Sequence, residues 1–173
     1  IGQTEVVEEF TARSLNYTNV FDPISGFMRP LLSDETFLKE FDPLDTHQKG
    51  FIEGNAWNYS LYVPHEPENL VRLMGGKKRF GDHLDSLSTM RLDDKYFEKT
   101  EDITRDGIMG NYVHGNEPSH HVAYLYNYSD RPWMAGKRVR DVLDIMYKPK
   151  PDGLSGHDDC GEISAWYIFS ALG

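Results

Sequence analysis

The chain has 173 residues, which suits one domain or part of a larger one. Its formal net charge is −10, so no basic surface remains for a phosphate backbone, and nucleic-acid binding is disfavoured. The single cysteine, Cys160, excludes an internal disulfide and a multi-cysteine zinc site, and the sequence has no apolar run of about 18 residues that would predict a membrane span.

The first predicted element is an amphipathic helix at residues 4–18. Its apolar side chains fall roughly on one face, and Thr4 suits the helix N-cap. Residues 20–50 differ, because turn signals such as Asp22-Pro23 and Ser25-Gly26 follow one another closely. The interleaved phenylalanines favour an ordered loop, with short strand pairs, over a disordered one.

The rest of the chain is patterned mainly as helices. Their predicted ranges are 54–63, 67–74, 77–91, 119–128 (following Ser119 as a cap), 132–147 and 161–172. The last of these is almost wholly apolar, which predicts burial on most sides and therefore a larger assembly of helices. Catalytic residues are expected in the loops between such helices.

Glu53 is the first candidate for chemistry. It lies where a loop meets a helix, directly after the apolar Phe51 and Ile52 and before Gly54. Apolar surroundings raise the pKa of a carboxyl group, which would suit Glu53 to the role of a general acid. The alternative is a first-turn glutamate that interacts with the helix dipole.

A second candidate segment spans residues 114–121. Asn116 and Glu117 offer hard oxygen donors beside the flexible Gly115, and these are calcium-type ligands. They supply only part of the six to eight oxygens that calcium takes. The alternative is an ordinary helix N-terminus with Pro118 in its first turn.

The histidines of this segment invite a zinc interpretation. His120 and His121 are adjacent, however, and adjacent helical side chains point about 100° apart, so both cannot easily bind one ion. Histidines that form only local hydrogen bonds are the alternative, and a zinc site using His114 and His121 is the weakest of the hypotheses.

Asp158 and Asp159 form the third candidate. Two close carboxylates raise the pKa of one of them and can hold a water molecule for attack. A helix N-cap would need only one aspartate, whereas this pair is accompanied by His157 between Gly156 and Gly161. The pattern therefore favours a functional role.

Several motifs together resemble glycoside hydrolase family 92, the calcium-dependent exo-acting α-mannosidases. The longest are Gly-Phe-Ile-Glu-Gly-Asn-Ala-Trp followed by Val-Pro-His at 50–65, Gly-Asn-Glu-Pro-Ser-His-His at 115–121, and Gly-Leu-Ser-Gly with Asp-Asp-Cys-Gly and Ser-Ala-Trp-Tyr at 153–167. Phe-Asp-Pro with Gly-Phe-Met-Arg-Pro at 21–30 and Leu-Met-Gly-Gly at 73–76 agree with the same family. The similarity extends over essentially the whole chain.

This resemblance implies an architecture. Members carry an N-terminal β-sandwich and an (α/α)6 barrel and are several times longer than this chain. Residues 1–173 are then expected to form a single segment, mainly α-helical, that corresponds to the later half of the barrel, with long loops and short β-hairpins. The sandwich and the early barrel would lie outside it.

The resemblance also implies roles for individual residues. Glu53 matches the general acid and Asp159 the general base, with Asp158 beside it. Asn116 and Glu117 match ligands of Ca²⁺, with the Gly115 carbonyl as a third candidate. The substrate-binding candidates are Trp57, His65, His121 and His157. Because the family inverts the anomeric centre, the two catalytic carboxyl groups should stand about 6.5–9.5 Å apart, with a water between base and sugar.

Three positions depart from the family pattern. His157 stands where Asp or Asn is common before the Asp158-Asp159 pair, which bears on how the attacking water is held. Asn58 stands in place of the expected Gln, and Glu66 in place of Asp, and both could alter contacts with the sugar.

The resulting prediction is an inverting, calcium-assisted exo-α-mannosidase, α-1,2-directed, that acts on mannose-containing glycans in the periplasm or outside the cell. The rival prediction is a catalytically inert barrel fragment, or a surface that only binds carbohydrate or a partner. In either case the isolated chain should be inactive, and it should self-associate through its open helical faces unless a longer polypeptide covers them.

Overall fold

The computed structural model describes residues 4–46, 50–96 and 107–173, and these are mainly helical, as the sequence predicts. The α-helices are α1 (Thr4–Ser14), α2 (Ala56–Tyr59), α3 (Pro67–Leu73), α4 (Lys77–Thr89), α5 (Trp133–Met146) and α6 (Glu162–Leu172). Short 3₁₀ helices lie at Asn16–Val20, Asp94–Tyr96, Glu117–Ser119, Val122–Tyr128 and Asp159–Gly161.

Two small antiparallel hairpins interrupt the helices. β1 (Phe21–Asp22) pairs with β2 (Phe27–Met28), placing Phe21 opposite Met28. β3 (Ile108–Met109) pairs with β4 (Tyr112–Val113). The expectation of short strand pairs is confirmed in the first long loop, whereas the second hairpin lies in a stretch for which the sequence pattern predicted no element.

Arg29 orders much of the loop that follows the first hairpin. Its guanidinium donates to Asp22 Oδ2 at 2.9 Å and, through Nε, to the Leu38 carbonyl at 2.9 Å. Asp22 is buried, and burial alone would raise its pKa. The hydrogen bonds from Arg29 and the Ile24 backbone, together with the charge of Arg29, lower the pKa below its usual range. The ordered-loop prediction is confirmed for 20–46, while residues 47–49 lie outside the described part of the chain.

The hydrophobic core is centred on α4. Phe80, Leu84 and Leu87 recur at helical spacing and are at most 1% exposed. They pack with apolar residues from α3, the 3₁₀ helix Val122–Tyr128 and α5, namely Leu70, Val71, Val122, Leu125, Tyr126, Ala135, Val142 and Met146. The predicted helices 67–74, 77–91 and 132–147 are confirmed to within about two residues.

The predicted helix 54–63 is wrong in length, since α2 ends at Tyr59. Two neighbours explain the early end. Pro64 has no N–H to donate to the carbonyl of Ser60. The Leu61 carbonyl accepts bonds from His121 Nε2 and from the nearby Val63 N, both at 2.8 Å, instead of the helical bond from four residues on.

The predicted α-helix 119–128 is also wrong, because the chain forms two 3₁₀ segments there. Ser119 does not cap the second one; its hydroxyl donates to Asn58 Oδ1 at 3.3 Å. At the amino-terminal end, α1 stops at Ser14 and a 3₁₀ helix follows, and Thr4 is the first helical residue rather than the cap.

The two terminal helices carry exposed apolar residues. α1 buries no residue, and α6 buries only Ile163. Phe169 and Leu172 of α6 are 74% and 78% exposed, so the expected burial on most sides is not provided by the described part of the chain. Among those same residues, no helix is both long and apolar enough to cross a membrane.

Candidate active site

Three carboxylic acids from separate parts of the chain are linked around Tyr59. The Tyr59 hydroxyl donates to Glu53 Oε1 at 2.9 Å. Burial chiefly raises the pKa of Tyr59, and the bond to Glu53 and the negative charge of Glu117 raise it further. The Glu117 carboxyl in turn shares a hydrogen bond with Asp159. We call Glu53, Glu117 and Asp159 the acidic cluster.

Glu53 lies in the loop before α2 and is exposed. Ile52 beside it is 89% exposed, so the apolar surroundings expected from the sequence are not present. That expectation was wrong because flanking apolar residues in a loop need not pack on one another. What holds the Glu53 carboxyl in the structure is its bond to Tyr59.

A chain of buried polar side chains lies behind this loop. Asn58 Nδ2 donates to Asn55 Oδ1 at 3.1 Å, and Asn55 Nδ2 donates to Asn111 Oδ1 at 3.1 Å. Ser119 Oγ donates to Asn58 Oδ1, and all four side chains are at most 4% exposed. This buried amide chain joins α2, the second hairpin and the 3₁₀ turn that carries Glu117. Breaking one of its bonds would leave a buried polar group unpaired, at a cost of about 1–3 kcal/mol.

Two glycines allow the second and third candidate segments to touch. A Cβ on Gly115 would lie 2.3 Å from the Ser155 carbonyl oxygen, and a Cβ on Gly156 would lie 2.3 Å from the Gly115 carbonyl oxygen. Both contacts are far too short for a side chain, so only glycine permits this approach. The contact brings the loop before Asp159 against the segment that carries Glu117.

Asp158 serves as the cap of α6. Its Oδ1 accepts bonds from Ser164 N at 2.9 Å and Ser164 Oγ at 2.8 Å, and its carbonyl accepts from Glu162 N at 2.7 Å. The capping alternative considered from the sequence therefore holds for Asp158.

Asp159 adopts an unusual backbone conformation. Its φ is +41°, followed by +58° at Cys160 and +95° at Gly161, so two residues with side chains occupy the left-handed region in succession. Such a conformation costs on the order of 1 kcal/mol or more per residue and is concentrated at functional sites. The turn leaves Asp159 exposed and turned to Glu117.

The pairing of Glu117 with Asp159 has an electrostatic consequence. The hydrogen bond with Asp159, followed by burial, raises the pKa of Glu117. Two carboxylates in hydrogen-bond contact repel each other unless a proton or a cation lies between them. Asn116 beside them makes no capping hydrogen bond with its side chain. Crowded carboxylates next to an amide oxygen fit the ligand chemistry of Ca²⁺.

The catalytic-domain model of glycosyl hydrolase family 92 matches residues 1–173. The chain belongs to this family. It is similar in structure to a family GH92 α-mannosidase of Bacteroides thetaiotaomicron, with 38% identity and a TM-score of 0.87, over 99% of this chain and 22% of that one. The same α-mannosidase in complex with mannoimidazole gives a TM-score of 0.88.

Two further relatives agree with this membership. A family GH92 inverting mannosidase of the same bacterium is 33% identical over 99% of this chain and 24% of its own length, with a TM-score of 0.77. An uncharacterised secreted glycosidase of the fungus Arthroderma benhamiae is 26% identical over 86% of this chain and 16% of its own length. The family 92 chain described here thus spans less than a quarter of each of these relatives.

The histidines of the family 92 chain support its fold instead of forming a zinc site. Tyr147 Oη donates to the Ile163 carbonyl, so His114 Nε2–H donates to Tyr147 Oη at 2.7 Å and Tyr112 Oη donates to His114 Nδ1 at 2.8 Å. Burial lowers the pKa of His114 to about 3. Both of its nitrogens are thereby occupied. Within residues 4–46, 50–96 and 107–173, no three His, Cys, Asp or Glu side chains are arranged to hold a metal ion.

His120 connects two of the candidate segments. Its Nε2–H donates to the His114 carbonyl at 3.0 Å, and its Nδ1 lies 2.9 Å from Glu162 Oε1 in an ion pair when the ring is protonated. Trp166 Nε1 donates to the His120 carbonyl at 2.9 Å. α6 is therefore fixed against the segment that carries Glu117.

The predicted substrate-binding residues are dispersed. Trp57 is half-buried and stacks on His83 at 4.3 Å, while His65 is exposed with Nε2 2.9 Å from the Ser14 carbonyl of α1. His121 is bonded to the Leu61 carbonyl, and burial lowers its pKa. His157 is exposed in the loop before Asp158. The structure thus ties Trp57, His65 and His121 to neighbouring segments. His157 lies two residues before Asp159 in the sequence.

The two other departures from the family pattern also have structural surroundings. Asn58 is 4% exposed and bonds within the buried amide chain, so it supports the site from behind. Glu66 Oε2 accepts a hydrogen bond from Tyr17 Oη at 2.9 Å.

Sequence reasoning missed Tyr59, Asn111 and Glu162. Tyr59 follows Glu53 by six residues across a helix start, so neither a helical nor a strand period applies over the whole interval. Asn111 meets Asn55 over 56 positions, and Glu162 meets His120 over 42. The only local signal was the presence of polar residues within otherwise apolar segments.

Proposed function

We propose that the protein to which this chain belongs hydrolyses terminal α-linked mannose from glycans by a single displacement that inverts the anomeric centre. The observation that carries the proposal is the acidic cluster, in which Glu53, Glu117 and Asp159 from three distant segments are linked around Tyr59. Membership of family 92 and the neighbouring α-mannosidases support it.

Glu53 is proposed as the general acid. It would donate its proton to the glycosidic oxygen as the bond from that oxygen to the anomeric carbon breaks. Asp159 is proposed as the general base. Its carboxylate would take a proton from a water molecule while the water oxygen forms the new bond to the anomeric carbon on the opposite face. Asp158 is occupied as a cap and would only orient its neighbour.

Asn116 and Glu117, together with the Gly115 carbonyl, are the residues proposed to hold Ca²⁺. The bound ion would supply a positive charge that attracts the 2- and 3-hydroxyls of mannose, and this attraction would favour distortion of the sugar ring. The contact with Asp159 favours a proton on Glu117, and the cation would take the place of that proton.

Two finer assignments complete the proposal. The preferred linkage is α-1,2, and the place of action is the periplasm or the outside of the cell. A secreted glycosidase among the relatives supports the second assignment.

Substrates with different leaving groups test the proposed acid. In the whole protein, we expect Glu53→Gln to lower kcat on an α-1,2-mannobioside by about 100- to 10,000-fold, because the sugar leaving group needs a proton. A 2,4-dinitrophenyl α-mannoside needs none and should lose far less. Glu68→Gln, a matched change at an exposed glutamate of α3, should leave both rates unchanged.

The proposed base should behave differently. Asp159→Asn should slow both substrates to a similar extent, since water must be activated whatever the leaving group. Equal losses on the two substrates in Glu53→Gln would remove Glu53 from the acid role. Selective loss on the natural substrate in Asp159→Asn would remove Asp159 from the base role.

Calcium is tested by binding as well as by activity. We expect isothermal titration of chelator-treated whole protein to show a calcium site that Glu117→Gln weakens, and calcium should restore activity where zinc does not. Restoration by zinc alone, or unchanged calcium binding in Glu117→Gln, would contradict the assignment.

The exposed apolar faces of α1 and α6 support one proposal about the isolated chain. Sedimentation of the 173-residue chain alone should show self-association and no mannosidase activity. A monodisperse, active monomer would contradict it.

A further inference from the structure

Glu53 and Tyr59 differ in how firmly the structure holds them. Glu53 is exposed in a loop that contains the exposed Ile52, so the backbone alone leaves its carboxyl group several accessible directions. Tyr59 is the last residue of α2, whose start is capped by Asn55 and anchored in the buried amide chain. The hydrogen bond between the two therefore joins an exposed loop side chain to a side chain on an anchored helix.

The Tyr59 ring is itself packed beneath the acid loop. A Cβ at Gly54, whose φ is +60°, would lie 3.0 Å from Tyr59 Cε2, and the Phe51 ring lies 5.9 Å from the Tyr59 ring centre to centre. The backbone of the loop thus rests on one part of the ring while the Glu53 carboxyl meets its hydroxyl. Contact at both points fixes the distance between loop and helix.

We infer that Tyr59 is a positioning residue for the general acid: its hydroxyl holds Glu53 Oε1, so that Oε2 remains the oxygen that carries the proton to the glycosidic bond. This inference rests on the proposed function of Glu53. A carboxyl that is held before the substrate arrives needs no further ordering in the transition state. Tyr59 remains protonated as a donor, because burial and the neighbouring carboxylates raise its pKa.

The test is Tyr59→Phe in the whole protein, which keeps the ring and removes the hydroxyl. We expect kcat on the α-1,2-mannobioside to fall about 10- to 100-fold with KM within about threefold, and kcat on the 2,4-dinitrophenyl mannoside to change by less than about threefold. The ratio of the two rates does not depend on how much protein is folded. Tyr128→Phe, the same change at an exposed tyrosine distant in sequence, should leave both rates unchanged.

Each outcome decides the inference. An unchanged ratio in Tyr59→Phe overturns it. If Tyr59→Phe yields no folded protein, Gly54→Ala keeps the hydroxyl but pushes the loop off the ring, and the same selective loss is expected there. Failure of the proposed function looks different, since the wild-type protein would then release no mannose.

Discussion

The apolar core and the region behind the acidic cluster are both buried, but different interactions hold them. The core packs Phe80, Leu84 and Leu87 of α4 against neighbouring helices. The region behind the cluster is polar, with Asn55 and Asn58 in the buried amide chain and histidines bonded through both ring nitrogens. Apolar burial there is largely replaced by directional bonds.

The two kinds of interaction contribute differently to stability and to the exact placement of side chains. Apolar packing is worth about 25 cal/mol per Å² and tolerates small shifts. A hydrogen bond is worth only about 1 kcal/mol net, but it constrains both distance and angle. We therefore expect changes in the core to act mainly on stability, and changes behind the cluster to act mainly on activity.

The largest expected loss of stability comes from the core. Leu84→Ala should lower the free energy of unfolding by about 3–4 kcal/mol, because it removes a side chain that is 1% exposed and leaves a cavity. Urea unfolding of the whole protein measures it, and kcat per folded molecule should stay within about threefold. Ile24→Ala, at a residue 95% exposed and outside the terminal helices, is the control and should change stability by less than about 0.5 kcal/mol. A comparable loss in both variants would contradict the placement of the core.

Lowering the pH should reduce the stability of the fold through His83, which stacks on Trp57 at the boundary between the two regions. Burial lowers the pKa of His83 from 6.5 to about 4, so the folded state binds fewer protons than the unfolded state between these values. Stability contributed by neutral His83 is complete above pH 6.5 and falls by roughly 3 kcal/mol as the pH drops to 4. Burial of His114 and His121 acts in the same direction.

Unfolding midpoints in urea at pH 7 and pH 4.5 measure this effect. His83→Leu should show a smaller drop between the two pH values than the wild-type protein, whereas His65→Gln, at an exposed histidine, should show the wild-type drop. Equal drops in wild type and His83→Leu would show that His83 is not buried as a neutral ring.

The glycine contact should affect activity strongly, together with some loss of stability, because the Ser155 carbonyl belongs to the backbone and must shift. Gly115→Ala introduces a Cβ 2.3 Å from the Ser155 carbonyl and should displace the segment of Glu117, lowering kcat about 100-fold. Gly136→Ala in α5 meets nothing within 4 Å and should retain full activity with a gain of about 0.5–1 kcal/mol in stability. Unchanged kcat in Gly115→Ala would break the proposed separation of roles.

The sequence predicted the core better than the site for a physical reason. The apolar period of α4 is a local signal, so Phe80 and Leu84 could be placed on one buried face before the structure was known. Family motifs drew attention to Glu53 and Asp159, but their connection through Tyr59 depends on a turn geometry that no period records. The left-handed turn at Asp159 and Cys160 has only a weak sequence signal, since aspartate adopts positive φ more often than most residues but cysteine does not.

The exposed face of α6 marks the limit of the same reasoning. Its apolar composition predicted burial on most sides, yet Ile163 is the only residue of α6 that the described part of the chain buries. Composition tells that a face needs a partner, but not whether the partner lies in the same segment of chain.

In the proposed mechanism, Asp159 activates water for direct attack while Glu53 protonates the leaving oxygen. Proton NMR of the whole protein acting on an α-1,2-mannobioside tests this mechanism, by recording which mannose anomer appears before mutarotation. We expect β-mannose to form first, because one displacement inverts the α-linked centre. Initial formation of α-mannose would require a covalent intermediate or another mechanism and would contradict the roles given to Glu53 and Asp159.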